Sequence, residues 1–267
     1  MNSLTVEDFH LERSLTNGQF HQWTPLGKGY LLKDGPHVFY VEQEGSTLHY
    51  EGVDEEYITT FLGLNQNYSL IVDTICCDDI LSAAITNLRG MRLFKQDVWS
   101  CMISFIISSN NNIKRIMKNV DDLCTTCGTK KTIVGVEVFS FPSPAQIAHA
   151  DLSPIRLGYR EKYIRNLSLT ITAQRIKELE QLSYPQAKKK LMELPGIGPK
   201  VADCICLFSL GHFEAFPIDT WINKVLDEYY FGEELTLDQK QQFVREYFGE
   251  YGGYAQQFLF QWARMNL

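Results

Sequence analysis

The sequence has no cysteine after Cys206, so its C-terminal part cannot supply the four clustered cysteines of an iron–sulfur site. Among the seven cysteines, Cys124 and Cys127 form a lone Cys-x-x-Cys pair. A zinc site needs a second pair or nearby histidines, and this pair has neither. We therefore expect no metal centre and no cofactor, and we expect free thiols in a reducing compartment.

Long apolar segments are missing as well. The apolar stretch at residues 98–107 has about half the length needed to cross a bilayer. No basic segment followed by an apolar run stands at Met1. We therefore expect neither export nor membrane anchoring, and we expect a cytoplasmic monomer, associated with the nucleoid if the protein is prokaryotic.

Basic residues are outnumbered over the whole chain, which has a formal net charge of −7. The deficit is uneven, because residues 91–200 contain 17 basic and 9 acidic residues, whereas residues 1–90 contain 4 and 13 and residues 201–267 contain 4 and 10. Lysine and arginine release counterions from nucleic-acid phosphates, so local charge matters more than the total. The basic middle predicts a DNA-binding face, with a solvated helix surface as the alternative, for Arg156, Arg160, Lys162, Arg165 and residues 188–190.

The composition is typical of a folded protein with a sizeable core. The 267 residues are 45% hydrophobic and 12% aromatic, which predicts two or three subdomains. Alternating apolar residues at 29–40 and 47–50, with turns at 33–35 and 44–45, predict antiparallel strands. From Glu55 onward the apolar spacing is helical.

The most informative segment, residues 191–210, begins Leu-Met-Glu-Leu-Pro-Gly-Ile-Gly-Pro-Lys. Pro195 and Gly196 end one helix, and Gly198 permits a tight turn into a second helix from about Pro199 to Leu210. Glycines leave backbone N–H groups bare at a helix N-terminus, where the helix dipole favours an anion such as phosphate. The pattern predicts a helix-hairpin-helix that binds a nucleic-acid backbone.

Two ionisable residues near this hairpin are suited to catalysis. Lys200 lies in the first turn of the second helix, where the dipole disfavours a cation, so a functional reason is needed for a lysine there. The eight residues 211–218 are long enough to return Asp219 to Lys200. Asp219 also precedes a helical apolar pattern, which predicts an N-cap. Both interpretations of Asp219 can hold together.

This segment resembles the helix-hairpin-helix Gly/Pro-Asp superfamily of base-excision glycosylases, and specifically the 8-oxoguanine DNA glycosylase family. Further matches extend the resemblance over residues 17–262: Asn-Gly-Gln at 17–19 with Trp23, the asparagine-rich residues 105–116, Gly-Tyr-Arg at 158–160 and residues 254–260. The resemblance implies a mainly α fold with an N-terminal α+β domain that contains an antiparallel sheet. It divides the chain into a sheet-bearing domain at 1–88 and a helical region of two subdomains at 89–267, with the hairpin at 191–210.

The resemblance implies a bifunctional DNA glycosylase and AP lyase that acts on double-stranded DNA containing an oxidised base. It would excise 8-oxoguanine, preferably opposite cytosine, and nick the strand by β-elimination. Lys200 would attack C1′ and form a Schiff base, while Asp219 would stabilise the oxocarbenium-like sugar. An enzyme that acts on a base within a duplex must first extrude it.

The other implied roles belong to the base pocket and to the DNA contacts. In the pocket, the Gly18 carbonyl would read the oxidised base, Cys204 and Phe260 would sandwich it, and Gln256 would bind its Watson–Crick edge. Asn110, on a helix that enters the gap, would lie beside the orphaned cytosine, with Arg115 and Arg160 donating to that cytosine and Tyr159 wedging the stack. The alternatives are that residues 110–112 cap or end a helix, that Arg115 is solvated and that Tyr159 belongs to the core. Phosphate would bind at Gly196 and Gly198, and a structural cation is an open alternative on the carbonyls of Met192, Leu194 and Ile197.

The sequence departs from the family pattern at three positions. His21 and Gln22 stand where the family usually has phenylalanine and arginine, and Trp221 stands where the animal enzymes have a histidine that touches phosphate. Two other functions remain open. One is an oxidised-pyrimidine glycosylase/lyase resembling endonuclease III, which the asparagine triplet, Gln256, Phe260 and the missing iron–sulfur cysteines count against. The other is a non-catalytic DNA-binding protein, which would need neither Lys200 nor Asp219.

Overall fold

The N-terminal alternation forms an antiparallel sheet, as predicted, in a computed structural model that describes residues 1–266. The chain begins with β1 (Asn2–Thr5), α1 (Leu11–Thr16), β2 (Trp23–Leu26), β3 (Gly29–Asp34), β4 (His37–Glu44) and β5 (Thr47–Glu51). The sheet order is β1-β5-β4-β3-β2, so the predicted strands β3, β4 and β5 form its centre. The alternation did not predict the two edge strands, β1 and β2.

Side chains on one face of this sheet form a core of their own. Leu32 on β3 pairs with Phe39 on β4, and Val41 on β4 pairs with Tyr50 on β5. All four side chains are buried in this core, together with residues of the helix that follows the sheet. Burial of such aromatic and β-branched surface is the main term that stabilises the sheet.

The rest of the chain is mostly helical, as expected from Glu55 onward. The helices are α2 (Glu55–Phe61), α3 (Tyr68–Ile75), α4 (Asp79–Asn87), α5 (Val98–Ser108), α6 (Ile113–Cys127), α7 (Pro144–Ala148), α8 (Arg160–Thr170), α9 (Ala173–Glu180), α10 (Tyr184–Met192), α11 (Pro199–Ile205), α12 (Thr220–Val225), α13 (Leu237–Phe248) and α14 (Gly252–Asn266). Helices α11 and α12 continue as π-helical turns, Cys206–Leu210 and Leu226–Phe231. Short polar side chains cap many N-termini, including Asp97 on α5 and Asn112 on α6.

A hairpin interrupts the helices where only helical patterns were predicted. Strands β6 (Lys130–Ile133) and β7 (Val136–Phe139) pair antiparallel around a turn at Val134 and Gly135. Both turn residues have positive φ, 45° and 76°. The usual sequence for such a turn is Asn-Gly or Asp-Gly, and a β-branched valine rarely adopts a positive φ. The sequence therefore did not predict this hairpin.

A second and larger core joins the helices. Helix α5 is buried on all sides except at Ser108, and α14 is buried from Gly252 to Leu259. Ile71, Leu81 and Ile85 from α3 and α4 belong to this helical core, whereas Phe94 belongs to the sheet core. The domain boundary at residue 88 stays a prediction, because side chains on each side of it contribute to the other core.

No helix within residues 1–266 combines the length and the apolar character needed to cross a membrane.

Candidate active site

The predicted helix-hairpin-helix is present, formed by α10, the turn at 193–198 and α11. Gly196 has φ +82°, and a Cβ there would lie 2.7 Å from Cβ of Tyr163, so the turn requires glycine for its conformation and for its contact with α8. Gly198 is the N-cap residue of α11, and a Cβ on it would meet open space. The backbone at this helix N-terminus therefore stays accessible to an anion.

A buried ion pair holds the two hairpin helices together. Nζ of Lys188 on α10 donates to Asp203 on α11 over 2.9 Å, and the hydroxyl of Tyr184 donates to the same carboxylate over 2.7 Å. Burial raises the pKa of Asp203, while Lys188 and Tyr184 oppose that rise. Lys188 was expected on the DNA face, and that expectation is corrected here, because its charge is used inside the protein.

Two cavities meet beneath the hairpin. The hairpin-side cavity, of about 710 Å³, is lined by the hairpin turn, by Asn110 and by the start of α12. The Phe260-side cavity, also of about 710 Å³, is lined by Gly18, His21, Phe105, Lys114, Phe260 and Arg264. Both cavities share Ser108, Asn111, Lys200, Asp219 and Trp221. Lys200 and Asp219 therefore lie where the two cavities join, as their spacing allowed.

The side chain of Lys200 lies on an aromatic floor. Its Nζ is 5.2 Å from the centre of the Phe105 ring, which stacks on Phe208 with centroids 5.5 Å apart. Phe105 belongs to α5 and Phe208 to the π-helical turn after α11, so the packing of these two elements sets the position of the amine. The half-buried Lys200 reaches the cavity junction from this floor.

Asp219 is both the N-cap of α12 and a wall of the site. Its Oδ1 accepts a hydrogen bond of 2.9 Å from the Ile222 backbone N–H. Burial raises the pKa of Asp219 from its ordinary value, and hydrogen bonds from the α12 backbone and the charge of Lys200 oppose that rise. The N-cap interpretation is confirmed, and it leaves the carboxylate on the cavity surface.

Gly18 forms the far wall of the Phe260-side cavity. Its φ is +86°, and a Cβ at this position would lie 3.2 Å from Cε1 of Phe260, so the turn and the ring need glycine here. The Gln257 amide on α14 donates to the Asn17 carbonyl over 2.8 Å. Gln19 is fully buried and bonds to the backbone at Ser14, Arg92 and Phe94. The N-terminal segment is thus fixed against α14, which carries Phe260.

Two predicted pocket residues do not line either cavity. Cys204 is 2% exposed and Gln256 is 4% exposed. Burial raises the pKa of Cys204 to about 11, so it is a neutral thiol, and Oε1 of Gln256 has no hydrogen-bond partner within residues 1–266. The contacts expected of these two residues with an extruded base stay predictions.

The asparagine triplet lies in a loop between α5 and α6, and not on a helix as expected. Asn110 has φ +48°, which few residues other than glycine and asparagine adopt readily, and its exposed side chain lines the hairpin-side cavity. The Asn111 amide donates to the Ile107 carbonyl over 3.0 Å. Asn112 caps α6 by accepting from the Arg115 N–H over 3.0 Å. The triplet therefore ends one helix and starts the next, which presents Asn110 at the tip.

Arg160 is occupied by this same loop. It is 6% exposed, and its guanidinium donates to the carbonyls of Ser109, Asn110 and Leu157. Tyr159 is 53% exposed and its hydroxyl donates to the Ser109 carbonyl over 3.2 Å. Arg115 is exposed on the first turn of α6. Of the two arginines predicted to contact cytosine, Arg115 has the free surface, whereas Arg160 holds the asparagine loop in place.

Other basic residues expected on the DNA face also divide into those bonded within the protein and those exposed to solvent. Arg165 donates to the carbonyls of Ala148 and Ala150 over 3.1 Å each, which ties α8 to α7. Exposed cations in this region include Lys162 and Lys189. Charge counts could not separate these groups, because only the packing decides which cation faces solvent.

The hairpin and its turn contain the carbonyls of Met192, Leu194 and Ile197, on which a structural cation was an open alternative. The Leu194 carbonyl accepts a 3.3 Å hydrogen bond from the Ile197 N–H, and the proposed cation on this turn stays a prediction. Within residues 1–266 no group of three or more His, Cys, Asp or Glu side chains is arranged to hold a metal ion.

Sequence reasoning missed several residues of the Phe260-side cavity. His21 is 4% exposed, its ring is 5.7 Å from that of Phe105, and its Nδ1 lacks a partner within residues 1–266. Burial, with the charge of Lys200, lowers the pKa of His21 to about 3, so the imidazole is neutral. Phe105 and Arg264 were also unassigned. Helical spacing from Phe260 places Arg264 one turn on, which was the available signal for it.

Comparisons with known proteins agree with one another. A family model described as 8-oxoguanine DNA glycosylase, N-terminal domain, matches residues 2–102. A probable N-glycosylase/DNA lyase of Methanothermobacter thermautotrophicus is 29% identical, covering 98% of this chain and 96% of its own length. The solved structure of MBOgg1 in complex with a low-affinity DNA ligand is 30% identical with a TM-score of 0.93, covering 98% of this chain and 95% of that one.

A second solved structure extends the similarity. The Clostridium acetobutylicum 8-oxoguanine glycosylase/lyase, in complex with double-stranded DNA containing cytosine opposite 8-oxoguanine, is 27% identical with a TM-score of 0.91. The alignment covers all of this chain and 98% of that one. The similarity therefore includes both the sheet-bearing region and the helical region.

Proposed function

Because this chain belongs to the 8-oxoguanine DNA glycosylase family, in the helix-hairpin-helix Gly/Pro-Asp superfamily, we propose that the junction of its two cavities is the active site of a bifunctional glycosylase and AP lyase. The enzyme excises 8-oxoguanine from DNA and then nicks the strand. One observation carries the assignment of the site: Lys200 and Asp219 line both the cavity beside the hairpin and the cavity that ends at Gly18 and Phe260.

The two cavities fit the two parts of an extruded nucleotide. The accessible N-terminus of α11 and the turn at Gly196 and Gly198 suit the DNA backbone. The apolar ring of Phe260, facing Gly18, suits the plane of a purine. A base that enters the Phe260-side cavity leaves its C1′ at the junction, beside the amine of Lys200. This placement is the reason to propose base extrusion here.

The chemistry follows from the groups at the junction. The unprotonated amine of Lys200 attacks C1′, the bond to the base breaks, and positive charge develops on the sugar. The Asp219 carboxylate stabilises that charge. The sugar ring then opens to a Schiff base on Lys200, which acidifies the proton on C2′. Loss of this proton expels the 3′ phosphate and nicks the strand.

The asparagine loop is proposed to replace the extruded base. Asn110 lies at the tip of the loop and lines the cavity that faces the DNA. Tyr159, half-exposed beside this loop, is placed to wedge between neighbouring bases. Arg160 fixes the loop carbonyls, so it acts on the opposite cytosine through the position of Asn110, and Arg115 supplies the free donor. A loop held by buried hydrogen bonds fills a gap with less loss of conformational entropy than a mobile one.

The direct test uses a duplex with one 8-oxoguanine opposite cytosine. The enzyme is expected to cleave at the lesion without alkali, because the lyase step follows base loss. Cleavage should be unchanged in chelator, and the purified protein should lack the visible absorption of an iron–sulfur cluster. Cleavage of a thymine glycol duplex in place of the 8-oxoguanine duplex would contradict the assignment and favour the pyrimidine enzyme.

Excision opposite cytosine is expected to exceed excision opposite adenine by about tenfold or more, the value of one or two specific hydrogen bonds. Arginine has only donors, and an unpaired cytosine offers O2 and N3 as acceptors, whereas adenine presents an amino donor. Arg115→Ala should narrow this gap. Arg160→Ala should instead slow excision opposite every base, because it releases the loop. Single-turnover rates opposite all four bases measure both effects, and equal wild-type rates would show that neither arginine acts on the opposite base.

A further inference from the structure

Arg264 places a positive charge in the wall of the Phe260-side cavity, and the proposed chemistry does not use it. It lies on α14, one turn after Phe260, and its guanidinium carbon is 5.6 Å from the centre of the Phe260 ring. It lines the same cavity as Lys200 and Asp219. Its Nη1 donates to the Gln261 amide oxygen over 3.1 Å and to the Thr16 carbonyl over 3.4 Å. These contacts direct the side chain across the cavity rim towards the N-terminal segment.

Arg264 is a basic residue in a part of the chain that is mostly acidic. Residues 201–267 contain 4 basic and 10 acidic residues. Of the 4, Lys240 is buried against Asp227, and Lys224 lies 3.7 Å from Glu228. Arg264 is instead exposed beside the catalytic cavity and donates to uncharged oxygens. Arg245, the fourth basic residue, is exposed but lines neither cavity, so among these four residues Arg264 is the one at the proposed active site.

The cavity itself has an excess of positive charge. Apart from Lys200, whose amine must be unprotonated to react, its lining contains Lys114 and Arg264 as cations and Asp219 as its carboxylate, while His21 is neutral. An extruded base is uncharged and needs no such excess. The nucleotide also brings phosphates, which are anions, and each is joined to the sugar that must lie beside Lys200. The rim of the cavity is where those phosphates arrive.

We propose that Arg264, with Lys114 of the same cavity lining, binds the backbone phosphate that adjoins the extruded nucleotide. The inference rests on the proposed function, since it requires extrusion into this cavity. Arg264 is exposed at the rim, whereas Phe260 is half-buried further inside. A rim position suits a phosphate, which stays partly solvated, better than it suits the edge of a base. The planar guanidinium matches two phosphate oxygens, and Trp221 adds no charge at the junction.

The test measures DNA affinity in a Lys200→Gln background, which prevents turnover. The three duplexes contain a normal guanine, an 8-oxoguanine or a tetrahydrofuran abasic analogue, each opposite cytosine, and each Kd is measured over a range of salt concentrations. Arg264→Gln should raise the Kd of the 8-oxoguanine and abasic duplexes about tenfold and reduce the salt slope by about one. The undamaged duplex should be almost unaffected. Arg264→Lys should retain most of the slope, and exposed Arg245→Gln is the matched control.

The other outcomes overturn the proposal in distinct ways. A loss confined to the 8-oxoguanine duplex would assign Arg264 to the base edge, because the abasic duplex has the same phosphates. An equal loss on undamaged DNA would assign it to non-specific attraction, and a higher Kd with unchanged slope and a lower Tm would assign it to folding. If the protein without the Arg264 change fails to prefer lesion duplexes, the proposed function itself fails. Preference retained with no effect of Arg264→Gln overturns only the phosphate assignment.

Discussion

Lys200→Gln is expected to abolish covalent trapping on 8-oxoguanine DNA and to reduce strand cleavage by more than about 10³-fold, as removal of a catalytic nucleophile does. Glutamine has a similar length and no nucleophilic amine, so C1′ is no longer attacked. Borohydride reduces the Schiff base of the wild-type enzyme to a stable amine. The resulting covalent protein–DNA complex migrates more slowly than free DNA on a denaturing gel. The variant should give no such band.

Lys189→Gln is the matched control for this result. Lys189 is an exposed lysine on α10 of the same hairpin, so its loss removes one charge near the DNA without changing the cavity junction. It should trap as efficiently as the wild-type protein. Lys200→Gln should still bind lesion DNA, with only the weakening expected for one lost cation. Undiminished trapping by Lys200→Gln would show that another amine is the nucleophile.

Asp219→Asn is expected to slow base excision by about 10²-fold or more, the usual cost of removing one group that stabilises transition-state charge. Asparagine is as good an N-cap as aspartate, so α12 and the Tm should be nearly unchanged. The substitution therefore separates the N-cap role of Asp219 from its proposed catalytic role. Undiminished excision with an unchanged Tm would leave only the N-cap role. Single-turnover excision and thermal unfolding are the measurements.

The pH profile gives a second readout of Asp219. Burial raises the pKa of this carboxyl, and only its ionised form stabilises the sugar cation. Excision should therefore fall as the pH drops through the raised pKa of Asp219. The fall should begin at higher pH than an exposed aspartate would give. Asp219→Asn should lack this acid limb, and an unchanged limb in the variant would assign it to another group.

The proposed catalytic residues could be predicted from the sequence because their signals are local. The turn needs glycine at position 196 for its backbone conformation, and glycine at position 198 leaves the backbone accessible. Lys200 lies in the first turn of a helix, where the helix dipole disfavours a cation. Asp219 precedes an apolar pattern typical of a helix, which predicts an N-cap, and the segment at 211–218 is long enough to bring it back to Lys200. The strands β3, β4 and β5 were also predictable, since a half-buried strand alternates its side chains.

Other features depended on contacts between distant segments. Of the two interpretations of the asparagine triplet, the structure confirms that it ends one helix and caps the next, and it does not place the triplet on a helix. The hairpin β6–β7 was missed because its turn uses Val134 in place of the usual residues. His21 was noted only as a departure from the family pattern and Arg264 carries no motif; both line the same cavity because the N-terminal segment packs against α14.

By itself the sequence determined the hairpin and the N-cap at Asp219, because each depends on backbone conformation within a few residues, and it predicted the nucleophile Lys200. Only the tertiary structure decided which cations are free. Lys188 and Arg160 look like DNA contacts in the sequence, yet burial commits one to Asp203 and the other to the loop carbonyls. A buried charge must be paired or hydrogen-bonded within the protein, and the packing that buries it is a property of the whole fold.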